Sequence, residues 1–328
     1  MNILVTGGAG FIGSNFVHYI LKVYENYHVI NYDALTYSGN LENLRSVEHN
    51  PRYVFLKGTI QNRELLEYVA QEYKVDVIVN FAAESHVDRS IANPIPFYDT
   101  NIIGTVTLLE LVKKYPHIKM VQVSTDEVYG SLGEAGKFTE QTPLDPSSPY
   151  SSSKASADMI ALSYYKTYQL PIIVTRCSNN YGPYQYPEKL IPLMITNALE
   201  GKKLPLYGDG LNIRDWLHVN DHCSAIDVVL HKGKIGEVYN IGGDNEKTNV
   251  EVVEQILTLL KKGKDDIYHV TDRLGHDRRY AIDAKKIKQE LGWKPVYTFK
   301  QGIEETVHWY KENEQWWRPL KEKQGAHR

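Results

Sequence analysis

The chain has 328 residues, of which 42% are hydrophobic and 23% are charged, and its formal net charge is -3 at pH 7. This length is sufficient for one large α/β core with a smaller lobe attached. The charge gives no general attraction to nucleic acid or anionic lipid, and no apolar stretch reaches transmembrane length. The N-terminus leads directly into a strand and not into a signal peptide. We therefore expect a cytoplasmic protein that binds neither nucleic acid nor membrane.

The first 23 residues have the pattern of a strand, a glycine-rich turn and a helix. Residues 3–6 resemble a buried strand, Gly7, Gly10 and Gly13 follow at three-residue spacing, and residues 14–23 have helical spacing. Glycines allow a pyrophosphate to approach the backbone closely, and the amides at the helix N-terminus then bind the anion. A plain strand, turn and helix can have the same pattern, so this turn alone is weak evidence.

A second strand, predicted for residues 28–32, ends at Asp33 and adds context to the glycine turn. A carboxylate at that position accepts hydrogen bonds from the ribose hydroxyls of a dinucleotide and repels a 2′-phosphate. The pattern therefore favours NAD over NADP as the cofactor, and the sequence indicates no metal site.

Further predicted strands at 53–56, 75–81, 120–124 and 172–175 alternate with predicted helices at 63–73, 101–114 and 155–168. This alternation predicts an α/β fold with a parallel, doubly wound sheet of the Rossmann type. The helix at 155–168 has more apolar side chains than one buried face needs, namely Met159, Ile160, Leu162, Tyr164, Tyr165 and Tyr168. The excess predicts a homodimer built on helices 101–114 and 155–168, with core packing alone as the alternative.

From Asn179 onward the chain becomes rich in proline, tyrosine and glycine, which indicates an exit from the regular sheet. We predict a cofactor domain over residues 1–178 and a smaller, interleaved C-terminal substrate lobe over residues 179–328. The chain is expected to return to the first domain around residues 215–240. Residues 316–328 are charged and are predicted to be frayed. The two cysteines, Cys177 and Cys223, are expected to be reduced, buried thiols instead of a disulfide.

Two polar clusters point to catalysis. Thr125, Asp126 and Glu127 follow the strand that ends at Ser124, and ligands bind at the carboxyl ends of parallel strands. Tyr150 and Lys154 lie four residues apart at the start of a helix, so both face the same side one turn apart. A lysine in that position can lower the pKa of a phenol, because positive charge favours the phenolate. For the two carboxyls, a solvated turn is the alternative interpretation.

Together these segments resemble the extended short-chain dehydrogenase/reductase superfamily and, within its nucleotide-sugar epimerases and dehydratases, the dTDP-glucose 4,6-dehydratases. The resemblance extends over residues 7–13, 82–88, 124–130, 150–154, 176–183, 213–216 and 272–280. Asp126 and Glu127 are the discriminating residues. Sugar-nucleotide 4-epimerases have small residues there, and related decarboxylases and GDP-mannose dehydratases keep only the glutamate.

The resemblance implies a reaction in three stages, with dTDP-glucose as the substrate and NAD as the cofactor. Tyr150 would take the O4 proton while C4 gives its hydride to NAD, with Lys154 on the nicotinamide ribose and Thr125 on the developing ketone. Glu127 would remove the C5 proton, Asp126 would protonate the departing O6 hydroxyl, and hydride would return to C6. The sequence by itself does not indicate which carboxyl is the acid.

The same resemblance assigns binding residues. For the cofactor these are Gly7, Gly10, Phe11, Ile12, Gly13, Asp33, Ala34, Leu35, Thr36, Thr59, Ile60, Phe81, Ala82, Ala83, Ser85, Thr100, Tyr150, Lys154 and Asn180. For the nucleotide sugar they are Ser85, Thr125, Asn179, Lys189, Leu190, Pro205, Tyr207, Arg214, Asn249, Arg273 and His276. The two arginines suit a diphosphate because a guanidinium offers a fork of donors, with surface ion pairs as the alternative.

Two positions need separate comment. The family usually has aspartate at the position of Thr59, and threonine can still accept a hydrogen bond through its hydroxyl, so NAD affinity is the property that this departure affects. His86 is expected to be a structural histidine and not a catalyst.

Two alternative functions remain at the level of the sequence. An epimerase or dehydratase acting on another nucleotide sugar would share most of the motifs. A non-catalytic NAD-binding sensor would share the fold, but such a protein is expected to lose part of the catalytic set. Here Thr125, Asp126, Glu127, Tyr150 and Lys154 are all present.

Overall fold

The computed structural model describes residues 1–272 and 275–325, which form two layers of helices around a large sheet and a second, smaller lobe. The strands are β1 (Asn2–Thr6), β2 (His28–Asp33), β3 (Tyr53–Lys57), β4 (Val77–Asn80), β5 (Lys119–Thr125), β6 (Ile172–Cys177), β7 (Asn179–Tyr181), β8 (Leu204–Tyr207), β9 (Ile213–His218), β10 (Val238–Ile241), β11 (Glu246–Thr248) and β12 (Ile267–Val270).

The helices are α1 (Phe11–Val23), α2 (Arg63–Glu72), α3 (Val87–Ala92), α4 (Ile95–Phe97), α5 (Thr105–Lys114), α6 (Pro149–Tyr168), α7 (Leu190–Leu199), α8 (Val219–Lys232), α9 (Asn249–Leu259), α10 (Lys285–Leu291), α11 (Phe299–Glu312) and α12 (Glu314–Gly325). Short 3₁₀ segments occur at Leu41–Val47, Asp126–Tyr129 and Lys264–Asp266, and a π-helical segment at Tyr98–Gly104 precedes α5. Within the described ranges, no helix has both the length and the apolar character to cross a bilayer.

The large sheet has seven strands in the order β10-β6-β5-β4-β1-β2-β3, and every neighbouring pair is parallel. This confirms the predicted doubly wound fold. The direction of winding reverses between β1 and β4, and ligands of such folds bind at this point, beyond the carboxyl ends of the strands. The predicted strand at 75–81 is shorter in the structure, and the predicted helix at 101–114 begins as the π-helical segment.

Both faces of the sheet are covered, which explains why its strands are apolar on both sides. On one face, β1 residues such as Ile3 pack with Phe16 of α1 and Ile226 of α8. On the other face, Leu4 packs with Leu66 of α2 and Leu108 of α5. The chain reaches β10 and α8 only after it has formed β7, and β10 pairs with β6 at the edge of the sheet. The boundary at residue 178 stays a prediction.

The second lobe combines the sheets β11-β9-β7 and β12-β8 with helices α7, α9, α11 and α12 around one apolar core. Helices α9 and α11 begin with capping boxes, in which Thr248 and Thr298 satisfy backbone amides of the first turn. Cys177 and Cys223 are both buried and form no disulfide, as predicted.

The prediction of a frayed C-terminus is wrong for residues 316–325, which belong to helix α12. The Trp317 side chain is buried in the second core, and its indole N–H donates to the carbonyl of Tyr310 at 2.7 Å. The charged residues of this segment lie mostly on the outer surface of the helix. Their number led to the prediction of a frayed end, although the segment also contains tryptophans that can pack in a core. Residues 326–328 lie outside the described part of the chain.

Candidate active site

A cavity of ≈ 340 Å³ opens at the carboxyl ends of β1, β2, β4 and β5, where the winding of the sheet reverses. Its walls come from the glycine-rich turn, from the ends of these strands, from the first turn of α6 and from residues 177–189. The volume is within the range of small-ligand pockets, and the position is the one expected for a ligand in this fold.

The glycine-rich turn forms a close cradle at the N-terminus of α1. Gly7 has a φ of 69°, and a Cβ atom at this residue would lie 2.6 Å from the backbone nitrogen of Ala82. A Cβ at Gly13 would lie 2.3 Å from the carbonyl oxygen of Gly7. Gly10 caps α1 without a side-chain hydrogen bond, so no side chain competes for the first amides of the helix. These features fit the pyrophosphate of a dinucleotide.

Asp33, at the end of β2, is held by two backbone amides. Its carboxylate accepts from Ala9 N at 2.9 Å and from Leu35 N at 2.7 Å. Burial raises the pKa of Asp33, and these two hydrogen bonds oppose the shift. The carboxylate is thereby oriented at the wall of the cavity, as binding of a ribose requires.

The predicted catalytic residues meet where β5 ends and α6 begins. Thr125 ends the strand and caps the following 3₁₀ turn through a hydrogen bond from Glu127 N to its hydroxyl at 3.3 Å. Helix α6 begins with a capping box between Ser148 and Ser151, which positions Tyr150 beside the end of β5. The Thr125 hydroxyl lies close enough to Tyr150 to lower the pKa of that phenol.

Asp126 and Glu127 lie in different environments although they are adjacent in sequence. The Asp126 side chain is 1% exposed, and burial, followed by the charges of Glu127 and Asp215, raises its pKa well above the ordinary value. Its Oδ2 atom has no hydrogen-bond partner within the described residues. Glu127 is only half-buried. Asp126 is therefore suited to hold a proton, which distinguishes the two carboxyls as the sequence could not.

The net pKa shift of Tyr150 is upward, opposite to the effect expected of Lys154. Burial, followed by Glu127 and Cys177, raises the pKa of Tyr150 well above its ordinary range, and the Thr125 hydrogen bond opposes this. Lys154 donates to the carbonyl of Val123 at 2.8 Å, and burial lowers its own pKa. Desolvation of the phenol is the largest cause of the upward shift.

Arg214 extends from β9 in the second lobe toward the catalytic carboxyls. Its positive charge opposes the rise in the pKa of Asp126, which places it within electrostatic range of that carboxyl. The guanidinium lies 4.2 Å above the ring of Tyr280 and donates to the carbonyl of Asp277 at 2.9 Å. Arg214 is buried, which excludes the surface ion pair considered from the sequence.

The cavity brings together all the predicted cofactor residues except Leu35, which does not line it. Of the predicted substrate residues, Ser85, Thr125, Asn179 and Lys189 line the cavity. Five others do not line it and lie in the second lobe, namely Leu190, Pro205, Tyr207, Asn249 and His276. Among these, the rings of Tyr207 and His276 are 6.4 Å apart. Arg214 is described above, and Arg273 lies outside the described residues.

Several wall residues were not predicted, including Glu84, Tyr37, Gln185, Tyr186 and Glu188. Tyr37 lies four residues after the end of β2. Gln185, Tyr186 and Glu188 lie in the loop that is rich in tyrosine and proline. Their position in these two loops is the feature of the sequence that could have identified them as wall residues. Tyr32 donates from its hydroxyl to the carbonyl of Thr59 at 2.9 Å, and Thr59 also lines the cavity.

His86 caps helix α3 by accepting from Arg89 N at 3.4 Å, and its Nε2 atom lies 3.6 Å from Glu188. These contacts support the structural role expected for this residue.

Comparisons with known proteins agree with the geometry. A family model described as GDP-mannose 4,6 dehydratase matches residues 4–306. The dTDP-glucose 4,6-dehydratase of Xanthomonas campestris pv. campestris (strain B100) is 54% identical over 331 residues, which span 95% of this chain and 94% of that protein. The structure of dTDP-glucose 4,6-dehydratase from Bacillus anthracis str. Ames in complex with NAD is 76% identical, with a TM-score of 0.93, and covers 98% of this chain and 99% of that one.

An epimerase shares the fold at a lower level of similarity. The UDP-glucose 4-epimerase of Thermus thermophilus in complex with NAD has a TM-score of 0.88 but is only 28% identical, over 95% of this chain and 100% of that one. The fold therefore does not separate the two activities, whereas the level of sequence identity does. On the combined evidence of the site and these nearly full-length matches, the chain belongs to the dTDP-glucose 4,6-dehydratase family.

Proposed function

We propose that this protein is an NAD-dependent hydro-lyase that converts dTDP-glucose into dTDP-4-dehydro-6-deoxyglucose and water. The observation that carries the proposal is the pair Asp126 and Glu127, one fully buried and one half-buried, at the strand end beside Tyr150. Elimination of water from two neighbouring carbons needs one group that gives a proton and another that takes one. Two carboxyls with different environments provide such an acid and base.

The cradle of Gly7, Gly10 and Gly13 is proposed to hold the pyrophosphate of NAD, and Asp33 a ribose. When bound, NAD accepts a hydride from C4 of the sugar and returns it to C6, and its positively charged ring favours the phenolate of Tyr150. Lys154, whose ammonium group is fixed by the carbonyl of Val123, is proposed to hold the second ribose.

The protein side chains move the protons. Tyr150 accepts the O4 proton, and Thr125, which lies beside Tyr150, donates to the oxygen that becomes the C4 ketone. The ketone acidifies C5, and Glu127 takes the C5 proton. Asp126 gives its proton to the departing O6 hydroxyl, which leaves as water, and a proton later returns to C5. The protons of O4 and C5 thus have Tyr150 and Glu127 as their acceptors, and the departing hydroxyl has Asp126 as its donor.

The second lobe is proposed to bind the nucleotide diphosphate of the sugar. Arg214 is supported by its burial, its stacking on Tyr280 and its electrostatic contact with Asp126. The side-chain oxygen of Asn249 is buried with no partner in the described residues, as suits a residue that binds a ligand. Tyr207 and His276 adjoin each other in the same lobe.

We further propose that the enzyme is a cytoplasmic homodimer. Ile103 and Met159 are 53% and 55% exposed on the helices predicted to form the interface. Two large apolar side chains exposed on neighbouring helices are what an isologous contact would bury. Two free thiols suit the reducing environment of the cytoplasm.

Mass spectrometry after incubation with dTDP-glucose in heavy water tests the proposed reaction. The expected product has lost one water and has gained one deuterium at C5. A product of unchanged mass whose proton NMR spectrum shows an inverted C4 would instead identify an epimerase. Absence of conversion by protein that contains bound NAD would support the non-catalytic sensor.

A further inference from the structure

Three separate segments of the chain meet beside the cofactor cavity. Tyr37 lies in the loop after β2, Arg89 lies on α3, and Glu188 lies in the loop between β7 and α7. The guanidinium of Arg89 lies 3.7 Å above the centre of the Tyr37 ring. The same guanidinium forms an ion pair of 3.1 Å with the Glu188 carboxylate. Arg89 therefore links both loops to α3.

Further contacts join the same three segments. The ring of Tyr186 packs edge-on against Tyr37, with their centres 5.8 Å apart, and Lys189 donates to the carbonyl of Ser85 at 3.0 Å. Burial, followed by the negative charge of Glu188, raises the pKa of the Tyr37 hydroxyl, so this group keeps its proton and can donate. Tyr37 and Glu188 both line the cavity that the glycine-rich turn also lines.

We propose that Tyr37, Arg89 and Glu188 form a clasp that retains the nicotinamide cofactor in the cavity between turnovers. Arg89 is the positioning residue of the clasp, because it contacts both loops without lining the cavity itself. Opening of the loop at residues 182–189 separates the Glu188 carboxylate from the Arg89 guanidinium. Movement of the loop after β2 separates the Tyr37 ring from the same guanidinium. Closure of a loop over a ligand slows its release, and such contacts act mainly on the dissociation rate.

The purpose of this clasp rests on the proposed function. A cofactor that takes a hydride and then returns it leaves the cycle unchanged, so the enzyme gains nothing from releasing it. Release in mid-cycle would leave an oxidised sugar on the enzyme. Retention is therefore the behaviour that the proposed reaction requires.

The test measures release of NADH from the protein in the absence of any sugar. Protein loaded with NADH is mixed with a large excess of NAD, and the fall in NADH fluorescence gives the dissociation rate. The variants are Arg89→Ala, Tyr37→Leu and the double substitution. Arg89 is 45% exposed on its side chain, so its removal leaves no large buried cavity. Arg45→Ala, which removes an exposed ion pair with Glu42, is the matched control.

Arg89→Ala is expected to accelerate release by about tenfold, because it removes both a half-exposed ion pair and a cation–π contact, and Tyr37→Leu by about threefold, because it removes only the cation–π contact. The double substitution should accelerate release by much less than the product of the two single effects, because both break the same contact. Arg45→Ala should release NADH at the parent rate.

Two outcomes would overturn the clasp: release from Arg89→Ala at the parent rate, or a double variant whose acceleration equals or exceeds the product of the single effects. The second outcome would indicate two independent local changes. Because no sugar is present, either result would leave the proposed reaction unaffected. Failure of the parent protein to convert dTDP-glucose, together with faster NADH release from the clasp variants, would count against the proposed reaction alone.

Discussion

At the scale of single residues, the adjacent carboxyls Asp126 and Glu127 show how the fold divides one chemical type into two roles. The 3₁₀ turn after β5 directs Asp126 into the interior, beside Asp215 and near Arg214, whereas Glu127 stays half-buried beside Tyr150. Burial of a carboxyl favours its neutral form. The turn therefore provides the two different environments that the proposed acid and base need.

The substitution Glu127→Gln preserves shape but removes the carboxylate proposed to take the C5 proton. Oxidation at C4 should persist, since Tyr150, Lys154 and Thr125 are unchanged. With elimination blocked, reduced nicotinamide should accumulate in a single turnover with dTDP-glucose, as measured by its absorbance. Exchange of deuterium from solvent into C5 should be slower by about a hundredfold to ten-thousandfold.

Glu134→Gln, at an exposed carboxylate in a loop, is the control and should behave as the parent does. Exchange at the normal rate in Glu127→Gln would remove Glu127 from the role of base and direct the same test to Asp126.

The raised pKa of Asp126 predicts a pH-dependent contribution to stability. The folded protein keeps this proton to higher pH than the unfolded chain does. The contribution is therefore complete below the ordinary pKa of 3.8 and is lost as pH rises through the raised value. Asp126→Asn cannot ionise, so the free energy of unfolding of the parent minus that of the variant should fall as pH rises. The slope is at most about 1.4 kcal/mol per pH unit.

Denaturant unfolding of both proteins between about pH 5 and pH 9 measures this difference. A difference that stays constant across the range would show that Asp126 titrates alike in the folded and unfolded chains. The same variant is expected to have lost most of its dehydratase activity, since an amide cannot act as the proton donor.

At the scale of elements, the site depends on two well-capped ends and on a helix far from it in sequence. Thr125 and Ser148 cap the segments that hold the carboxyls and Tyr150. Helix α12 closes the core of the second lobe, and the indole of Trp316 donates to the side chain of Asn43 at 2.8 Å. Asn43 in turn donates to the carbonyl of Ala9 at 2.9 Å, so α12 is linked to the glycine-rich turn.

Trp317→Ala tests whether α12 is an integral part of the fold. Removal of a buried tryptophan should lower the free energy of unfolding by about 3 to 5 kcal/mol, because the side chain loses its packing and leaves a cavity. Tyr68→Ala removes an exposed aromatic side chain from α2 and should change stability by no more than about 0.5 kcal/mol. Equal effects of the two substitutions in urea unfolding would mean that the C-terminal segment is frayed after all.

At the scale of the whole molecule, both lobes contribute residues to the proposed active site. The large sheet carries the proposed acid, base and cofactor cradle, and β9 brings Arg214 from the second lobe. The order of the strands places their carboxyl ends at this junction. An active site between two packed lobes allows each to bind one part of a large substrate.

The proposed homodimer predicts a single sedimenting species of twice the chain mass at micromolar concentration. Met159→Lys should shift it toward monomer, because a lysine would bring an unpaired charge into the apolar contact. Val296→Lys adds the same charge at an exposed apolar position outside the two helices and should leave the dimer intact. A parent protein that sediments only as a monomer would contradict the interface.

The sequence by itself determined the features that depend on local order. Strands alternating with helices, the glycine turn, Asp33 at a strand end and the four-residue spacing of Tyr150 and Lys154 are all periodic or adjacent patterns. Each could be recognised because backbone geometry dictates which residue types such turns and helix faces accept. The comparisons then confirmed the family and the fold that these patterns predicted.

Only the tertiary structure decided the features that depend on burial and on contacts between distant segments. Burial separates Asp126 from Glu127, and it raises the pKa of Tyr150. The contact of Arg89 with two loops and the burial of Trp317 also join residues far apart in the chain. Solvent exclusion results from the packing of the whole molecule, so no local pattern of residues could have shown it.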